Sequence, residues 1–424
     1  MILYQGKCLV DRAQDEYLGR LYEDCVATLE KRFFPTPACV IDACDVLYRR
    51  VLSGGYENEI QSLLRKTNLP YERFLEMARA FSKEGLIEKC QIEWGMEEGA
   101  LNPLSSGTKR KRMPLGILLH IAAGNVDGLP AYSVIEGLLC GNINILKLPS
   151  GDSGLSIRLL CELIQIEPKL KEFIYVFDVS STESEQLKKM ADIADGIVVW
   201  GGDEAVSAAR SLIDVKSKLI VWGHKLSFAY VTLKAKDEDL HALAEHICRT
   251  NQVLCSSVQG IFVDSDDAGE IENFGRKFFE ILKEVNAKRG KTDIGMRGKN
   301  AIRLYNDRLE SKEDCILSEE GVSVVVKRDS ELELSYLFRN VWVKGLPRDK
   351  IISVLKKHKG HLQSCALLCE SGERQSLSER LAFSGLVRIT GADSSRMFIG
   401  EAHDGTYPLK EYSRIVEIDE WEEQ

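Results

Sequence analysis

Cys255 stands in RTNQVLCSSVQGIFVD (residues 249–264), a polar turn between a helix-like run and a β-rich apolar run. A thiol in such a turn can serve as a covalent nucleophile. A cysteine at a helix terminus can also have its pKa lowered, and the amphipathic run DEDLHALAEHICRTN delivers the chain to this turn. The competing reading makes Cys255 one more buried cysteine among the 12 in the chain. Lys147 closes the apolar run NINILKL. An ammonium there sits at the carboxyl edge of a sheet, where α/β folds bind ligands, although a lysine after a strand commonly faces solvent. In VVWGGDEAV, Gly201 and Gly202 mark a strand-to-helix passage. Backbone amides at that helix N-terminus can approach a phosphate or other anion, or the pair is simply a tight turn. His224 and His403 each occupy a glycine-containing turn and are candidate proton donors, set against the tendency of histidines to be surface or packing residues.

Other chemistries find less support. No CxxC pair occurs. HKGHLQSCALLC brings together His358, His361, Cys365 and Cys369, but its second half reads as a buried strand with inward-facing cysteines. His241 and His246 miss the i, i+4 spacing of a helical metal site, and no metal is expected. Neither GxGxxG nor GxxxxGK[ST] is present, which disfavours an ordinary dinucleotide fingerprint or a P-loop. A net charge of −9 argues against nucleic-acid binding, and the basic cluster Lys109, Arg110, Lys111 and Arg112 reads as a solvated loop. The N-terminal MILYQGKCLVDRAQDE has too short an apolar core for a signal peptide, and no run reaches the roughly 18 apolar residues of a membrane span. A cytoplasmic protein with reduced thiols is the expectation.

The elements that must position these residues are α/β in texture. Residues 1 to about 100 carry helical periodicity, punctuated by Pro35, Pro37 and Gly54–Gly55. From Pro114 onward short apolar runs alternate with helical segments, the pattern of βαβ units and a mostly parallel sheet. LGILLHIAA, NINILKL, FIYVFDV, GIVVW, KLIVWG and SFAYVTL read as strands, and LPAYSVIEGLLCG as a helix closing on Gly141. STESEQLKKMAD opens with a capping-box pattern at Ser181 or Thr182. GIFVD, GVSVVVK, NVWVKG, CALLC and LVRIT supply a second α/β stretch. Three segments are expected: a nucleotide-binding domain with a helical N-terminal segment over 1–250, a catalytic domain over 251–390 opening near Cys255, and a C-terminal segment over 391–424 that returns to the first domain or makes an oligomer contact.

Taken in order, PLGILLHIAAGNVDGLPAYSVIEGLLCGNINILKLPSGDS, the six-residue spacing from Cys255 to the IFV strand and HLQSCALLCESGERQSLSERLAFSGLVRIT resemble the aldehyde dehydrogenase superfamily. More narrowly, GNVDGLPAYSVIEGLL, WGHKLSFAYV, CSS and HDGTYPLKEYSRIV resemble the LuxC family, the acyl-CoA reductases of bacterial luminescence, over roughly residues 90–420. The resemblance implies an aldehyde dehydrogenase-like α/β fold with two doubly wound domains. It makes Cys255 the acylated nucleophile and Asn125 the side-chain donor of an oxyanion hole completed by the Cys255 N–H. Lys147 would contact the cofactor ribose or its phosphate, and Gly201 and Gly202 would face the pyrophosphate. Ser150, where NAD-preferring relatives carry an acidic side chain, favours NADPH, with NADH possible. Where hydrolytic aldehyde dehydrogenases place a general-base Glu, VWGHKLS has Val221 or Trp222 and no carboxylate. The implied reaction is NADPH-dependent reduction of a long-chain acyl-CoA or other acyl thioester to the aldehyde. Alternatives are an aldehyde-oxidising dehydrogenase, an acyl-phosphate reductase, or a non-redox acyl-carrying subunit. The resemblance also implies an acyl-protein synthetase or transferase as partner, and a homo-oligomer in which SRIVEIDEWEEQ forms a strand packed on a neighbouring subunit.

Overall fold

The computed structural model describes residues 1–9, 14–31, 33–64, 71–95, 100–101, 108–122, 128–149, 152–311, 314–393 and 400–419. The chain divides into two compact units, Met1–Gly223 with Phe398–Gln424, and His224–Met397.

In chain order the strands of the first unit are β1 (Ile2–Tyr4), β2 (Lys7–Leu9), β3 (Ala100–Leu101), β4 (Lys109–Pro114), β5 (Ile117–Ile121), β6 (Ile143–Lys147), β7 (Ile174–Phe177), β8 (Gly196–Trp200) and β9 (Lys218–Trp222). Seven of them form one sheet in the order β2-β1-β7-β6-β5-β8-β9. The five strands from β5 to β9 run parallel. Their apolar runs are continuous because helices cover both faces of such a sheet. The chain moves outward from β5 through β6 to β7, then returns to lay β8 on the other side of β5. Right-handed crossovers on these opposite courses put the helices Leu129–Leu139 and Leu155–Ile166 on one face and Ser184–Asp192 and Asp203–Leu212 on the other. The switch of direction lies between the carboxyl ends of β5 and β8, the place where open α/β sheets bind ligands.

The second unit contains β10 (Leu226–Val231), β11 (Val258–Val263), β12 (Cys315–Glu319), β13 (Val322–Lys327), β14 (Asn340–Gly345), β15 (Leu362–Leu368) and β16 (Arg388–Thr390), ordered β12-β13-β14-β11-β10-β15-β16. All neighbours are parallel except β12 with β13. One apolar cluster joins the sheet to the helices Asp237–Thr250 and Ala268–Ala287, and another joins it to Ile351–Leu355 and Arg374–Ser384. Gly260 in β11 lets the strand pass under Trp342, since a Cβ there would lie 1.9 Å from the indole. Because β10 pairs with β11 and β15, it and the helix Asp237–Thr250 belong to this second unit, although the boundary expected at 250 assigned them to the first domain.

Finally, β17 (Ser413–Ile418) pairs with β4, and β4 with β3, in a small antiparallel sheet. The basic cluster at 109–112 is therefore a strand and not a loop. Its charges alternate along β4, with Arg110 paired to Glu417 at 3.1 Å and Arg112 lying over Trp94 at 4.8 Å. The strand expected in SRIVEIDEWEEQ is present, with its in-chain partner β4.

Two further local readings are corrected. MILYQGKCL forms a hairpin, because Gln5 and Gly6 both take positive φ (47° and 78°), the geometry of a two-residue turn between strands. The helix Ser184–Asp192 takes Glu183 as N-cap, so the capping box at Ser181 or Thr182 does not form. Glu183 instead accepts the Ser180 N–H at 2.6 Å.

A buried ion cluster ties three segments of the first unit together. Lys89, on the helix Lys83–Trp94, pairs with Glu93 at 2.5 Å and with Glu136 of the helix Leu129–Leu139 at 2.9 Å. All three side chains are at most 6% exposed, and Glu93 also accepts the backbone N–H of Leu409 at 2.7 Å. Burial alone would lower the Lys89 pKa, but Glu136, Tyr132 and Glu93 together hold it above its ordinary value.

Candidate active site

Cys255 is exposed in the turn between the helix Asp237–Thr250 and β11. The helix ends with Asn251 and Gln252 both at positive φ (47° and 63°), which reverses the chain into the turn. Gln252 then braces it from within. Its Nε2 donates to the carbonyls of Val258 and Gln259 at 3.1 and 3.2 Å, while its Oε1 accepts the Arg339 and Asn340 N–H groups at 3.0 and 3.1 Å. Ser257 Oγ accepts the Leu254 N–H, and Ser227 Oγ donates to the Cys255 carbonyl at 2.7 Å. Neutral His246 accepts the Val258 N–H at its Nε2, 3.2 Å away. The thiol is thus presented by a backbone whose polar groups are fixed. The helix before it contributes its carboxyl end, where the dipole is negative, so the expected helix-terminus assistance to a thiolate does not come from Asp237–Thr250.

At the carboxyl edge of the first sheet, Lys147 pairs in register with Ile121, which in turn pairs with Val199. Lys147 is only 5% exposed, and among the described residues its side chain makes no hydrogen bond or ion pair. Burial lowers its pKa, against the attraction of Asp178. A buried ammonium in this position is costly unless an anion or an oxygen-rich ligand supplies the missing contacts. Gly202 is the N-cap of Asp203–Leu212 and has open space where a side chain would lie. A Cβ on Gly201 would meet that of Ala205 at 2.9 Å, so the tight passage requires glycine. Asp203 and Glu204 occupy the first helical turn, where their charge opposes a phosphate, whereas Lys147 places positive charge at the sheet edge. Asn125 and Ser150 lie outside the described residues.

Beside the Gly201–Gly202 turn the structure assembles a cluster of which the sequence alone singles out only Trp222 and His403. Ser133 Oγ accepts from Trp200 Nε1 at 2.9 Å and lies 2.7 Å from His120 Nδ1, whose Nε2 is 3.0 Å from Asn144 Oδ1. Trp222 Nε1 donates to the Tyr412 hydroxyl at 3.1 Å. With their N–H groups tied down, both indoles turn toward His403, whose ring centroid is 5.0 Å from each. The Asp404–Gly405 pair, at φ of 50° and 85°, makes the tight turn that presents it, and the His403 side chain is 29% exposed. His224 is exposed, with its carbonyl 3.2 Å from His361 Nδ1. Val221 and Trp222 end β9, and Glu204 is exposed. Among the described residues no group of His, Cys, Asp and Glu could hold a metal ion, and no helix is long and apolar enough to cross a membrane.

The two braced histidines make an acid-stability prediction. Burial pushes His120 down to about 4 against its bond to Asn144, and His246 down to about 4 against Asp393. Unfolded, each titrates near 6.5. The unfolded chain therefore binds more protons between these values, and stability is lost as pH falls from about 6.5 toward 4, by about 2 kcal/mol per histidine at pH 5. Urea midpoints from pH 8 to 5 should fall less steeply in His246→Gln than in the parent protein; equal slopes would contradict the assignment.

The comparisons with known proteins agree on one family and one fold. The acyl-CoA reductase (LuxC) family matches residues 40–415. The long-chain acyl-protein thioester reductase of Aliivibrio fischeri is 26% identical over 322 residues, covering 72% of this chain and 64% of the relative. That of Vibrio harveyi is 23% identical over 314 residues, covering 72% and 65%. The chain thus spans just under two thirds of the length of these relatives. In structure it is similar to betaine aldehyde dehydrogenase from Staphylococcus aureus, solved in complex with NAD+ (TM-score 0.72, 15% identity, 95% of this chain and 89% of that one). It is also similar to glyceraldehyde-3-phosphate dehydrogenase from Methanocaldococcus jannaschii, complexed with NADP (TM-score 0.71, 14% identity, 98% and 96%). The fold is that of the aldehyde dehydrogenases, and the chain belongs to the acyl-CoA reductase (LuxC) family.

Proposed function

We propose that the protein reduces a long-chain acyl thioester, presented on coenzyme A or on an acyl-protein, to the aldehyde through an acyl group held on Cys255. The observation that carries this reading is the exposed Cys255, fixed by Gln252, Ser227 and His246, in a chain of the acyl-CoA reductase family. Cys255 attacks the thioester carbonyl, the substrate's own thiol leaves with the proton, and the acyl chain stays on the enzyme. Asn125 and the Cys255 N–H are the donors assigned to the developing oxyanion, a role worth about 3 kcal/mol per donor in acyl transfer.

The first unit is the proposed seat of a nicotinamide cofactor, and the largely buried Lys147 at the carboxyl edge of its sheet fits one. When bound, a reduced nicotinamide supplies the hydride. Lys147 meets the ribose or its phosphate, and Gly201 and Gly202 let the backbone come close to the ligand. Reduction to the aldehyde takes up one proton, for which His224 and His403 are the candidate donors. The relatives named for acyl-protein thioester reduction, and fold neighbours solved with NAD+ and NADP, support this reading. A cytoplasmic homo-oligomer working beside an acyl-protein synthetase or transferase is the setting it implies.

Ser150, three residues after Lys147 in the sequence and a hydroxyl where an acidic side chain would repel a 2′-phosphate, favours NADPH, so kcat/KM should be higher with NADPH than with NADH; a clear preference for NADH contradicts this part of the reading. The aldehyde dehydrogenase fold favours one alternative, oxidation of aldehyde to free acid. That reaction needs an activated water, and a positioned base contributes about a hundred- to ten-thousand-fold. Val221 and Trp222 cannot take a proton. Long-chain aldehyde with NADP+ and no acyl acceptor should therefore give less than sustained turnover. Many turnovers to fatty acid would instead favour the oxidising enzyme.

A further inference from the structure

Far from Cys255 in sequence, Cys8 and Cys161 place their Sγ atoms 2.7 Å apart across 153 residues, as free thiols. Neither position depends on the other sulfur. Cys8 lies on β2, directly across from Leu3, and Leu3 pairs onward with Val176 of β7. Ile2, Leu3 and Tyr4 are at most 4% exposed, so the hairpin is docked in the core. Its turn rests on the layer that carries the second thiol: a Cβ on Gly6 would lie 3.1 Å from Lys171 Cβ and 3.3 Å from Ile164 Cγ2. Cys161 sits on the helix Leu155–Ile166, beside the buried Leu159, Leu160 and Leu163. A disulfide is about 2.05 Å long, so joining these sulfurs asks for side-chain adjustment and not for backbone movement.

We propose that Cys8 and Cys161 are a redox-active dithiol that closes to a disulfide under a hydroperoxide and reopens with a small dithiol. The exposed Cys8 thiol reacts first, attacking the peroxide oxygen. The O–O bond breaks, the alcohol or water leaves, and Cys8 becomes a sulfenic acid. The Cys161 sulfur then displaces that hydroxyl as water. One peroxide is reduced by two electrons, and the two sulfurs are oxidised to one S–S bond. Burial and the neighbouring Cys8 push Cys161 up to about 12, which keeps it a thiol until its partner has been oxidised. Closure ties the N-terminal hairpin to the helix layer of the first unit and shortens the unfolded chain by a long loop, which raises the melting temperature. A small dithiol reverses the closure by exchange.

The test treats the full chain with hydrogen peroxide, alkylates remaining thiols with N-ethylmaleimide, and maps peptides by mass spectrometry without reduction. The expected result is one cross-linked pair, Cys8 with Cys161, two hydrogens lighter than the free peptides and absent after dithiothreitol. The oxidised protein should also melt about 5 °C or more above the reduced one. Cys8→Ser and Cys161→Ser should each lose the cross-link and the oxidative rise while keeping the reduced protein's melting temperature. If a serine variant fails to fold, the map of the unsubstituted chain decides alone. Peroxide that oxidises Cys255 while Cys8 and Cys161 are both recovered alkylated, or each oxidised without a link, overturns the proposal.

Discussion

Cys255→Ala should leave a folded protein that forms no acyl adduct and reduces acyl thioesters at least about a thousandfold more slowly, because no other group replaces the covalent step. The thiol is exposed, so its loss removes little packing, and the melting temperature should stay within about 1 °C. Binding of NADPH, followed by calorimetry, should be unchanged, which separates loss of the nucleophile from loss of the site. Lys147→Ala should show the reverse pattern: adduct formation retained and cofactor affinity reduced. A Cys255→Ala protein that still reduced acyl thioesters at a substantial rate would remove the nucleophile from the account.

Lys89→Met should be the most damaging single substitution for stability, at about 3–5 kcal/mol in urea unfolding. The methionine fills much of the same space, but Glu93 and Glu136, both at most 1% exposed, would lose the ammonium between them. Burial already raises the Glu136 pKa to about 7 in spite of Lys89, so removing that cation pushes the carboxyl further toward its neutral form. Loosening Glu93 also frees the Leu409 N–H and, with it, the segment that carries His403. A midpoint unchanged from that of the parent protein would show that the cluster does not hold these segments together.

The strand pattern was legible because parallel strands covered on both faces appear as unbroken apolar runs; GIVVW and NVWVKG are two such runs, and they became β8 and β14. The charged strand β4 was not legible. KRKRMP has no buried face of its own and is held by the strands paired on either side of it, a tertiary effect that no local window contains. The hairpin at Gln5–Gly6 was hidden for a related reason, since three-residue strands are too short to show alternation. At the candidate site, types and spacing pointed to Cys255, Lys147 and the glycine turn. They could not reveal that Gln252 fixes the Cys255 turn, because its partners Arg339 and Asn340 come from a distant strand. Nor could they show that Ser133 and Tyr412 orient two indoles toward His403. The nearest available signals were the polar Ser133 and His120 inside otherwise apolar runs, where a buried polar group implies a partner.

The most direct test of the central claim is the intact mass of the protein after brief exposure to long-chain acyl-CoA without reduced cofactor, followed by peptide mapping. The predicted result is a single added acyl group, located on Cys255, that disappears when NADPH is supplied and leaves aldehyde in stoichiometric amount. An acyl group recovered on a different cysteine, or no adduct from either an acyl-CoA or an acylated carrier protein, would contradict it.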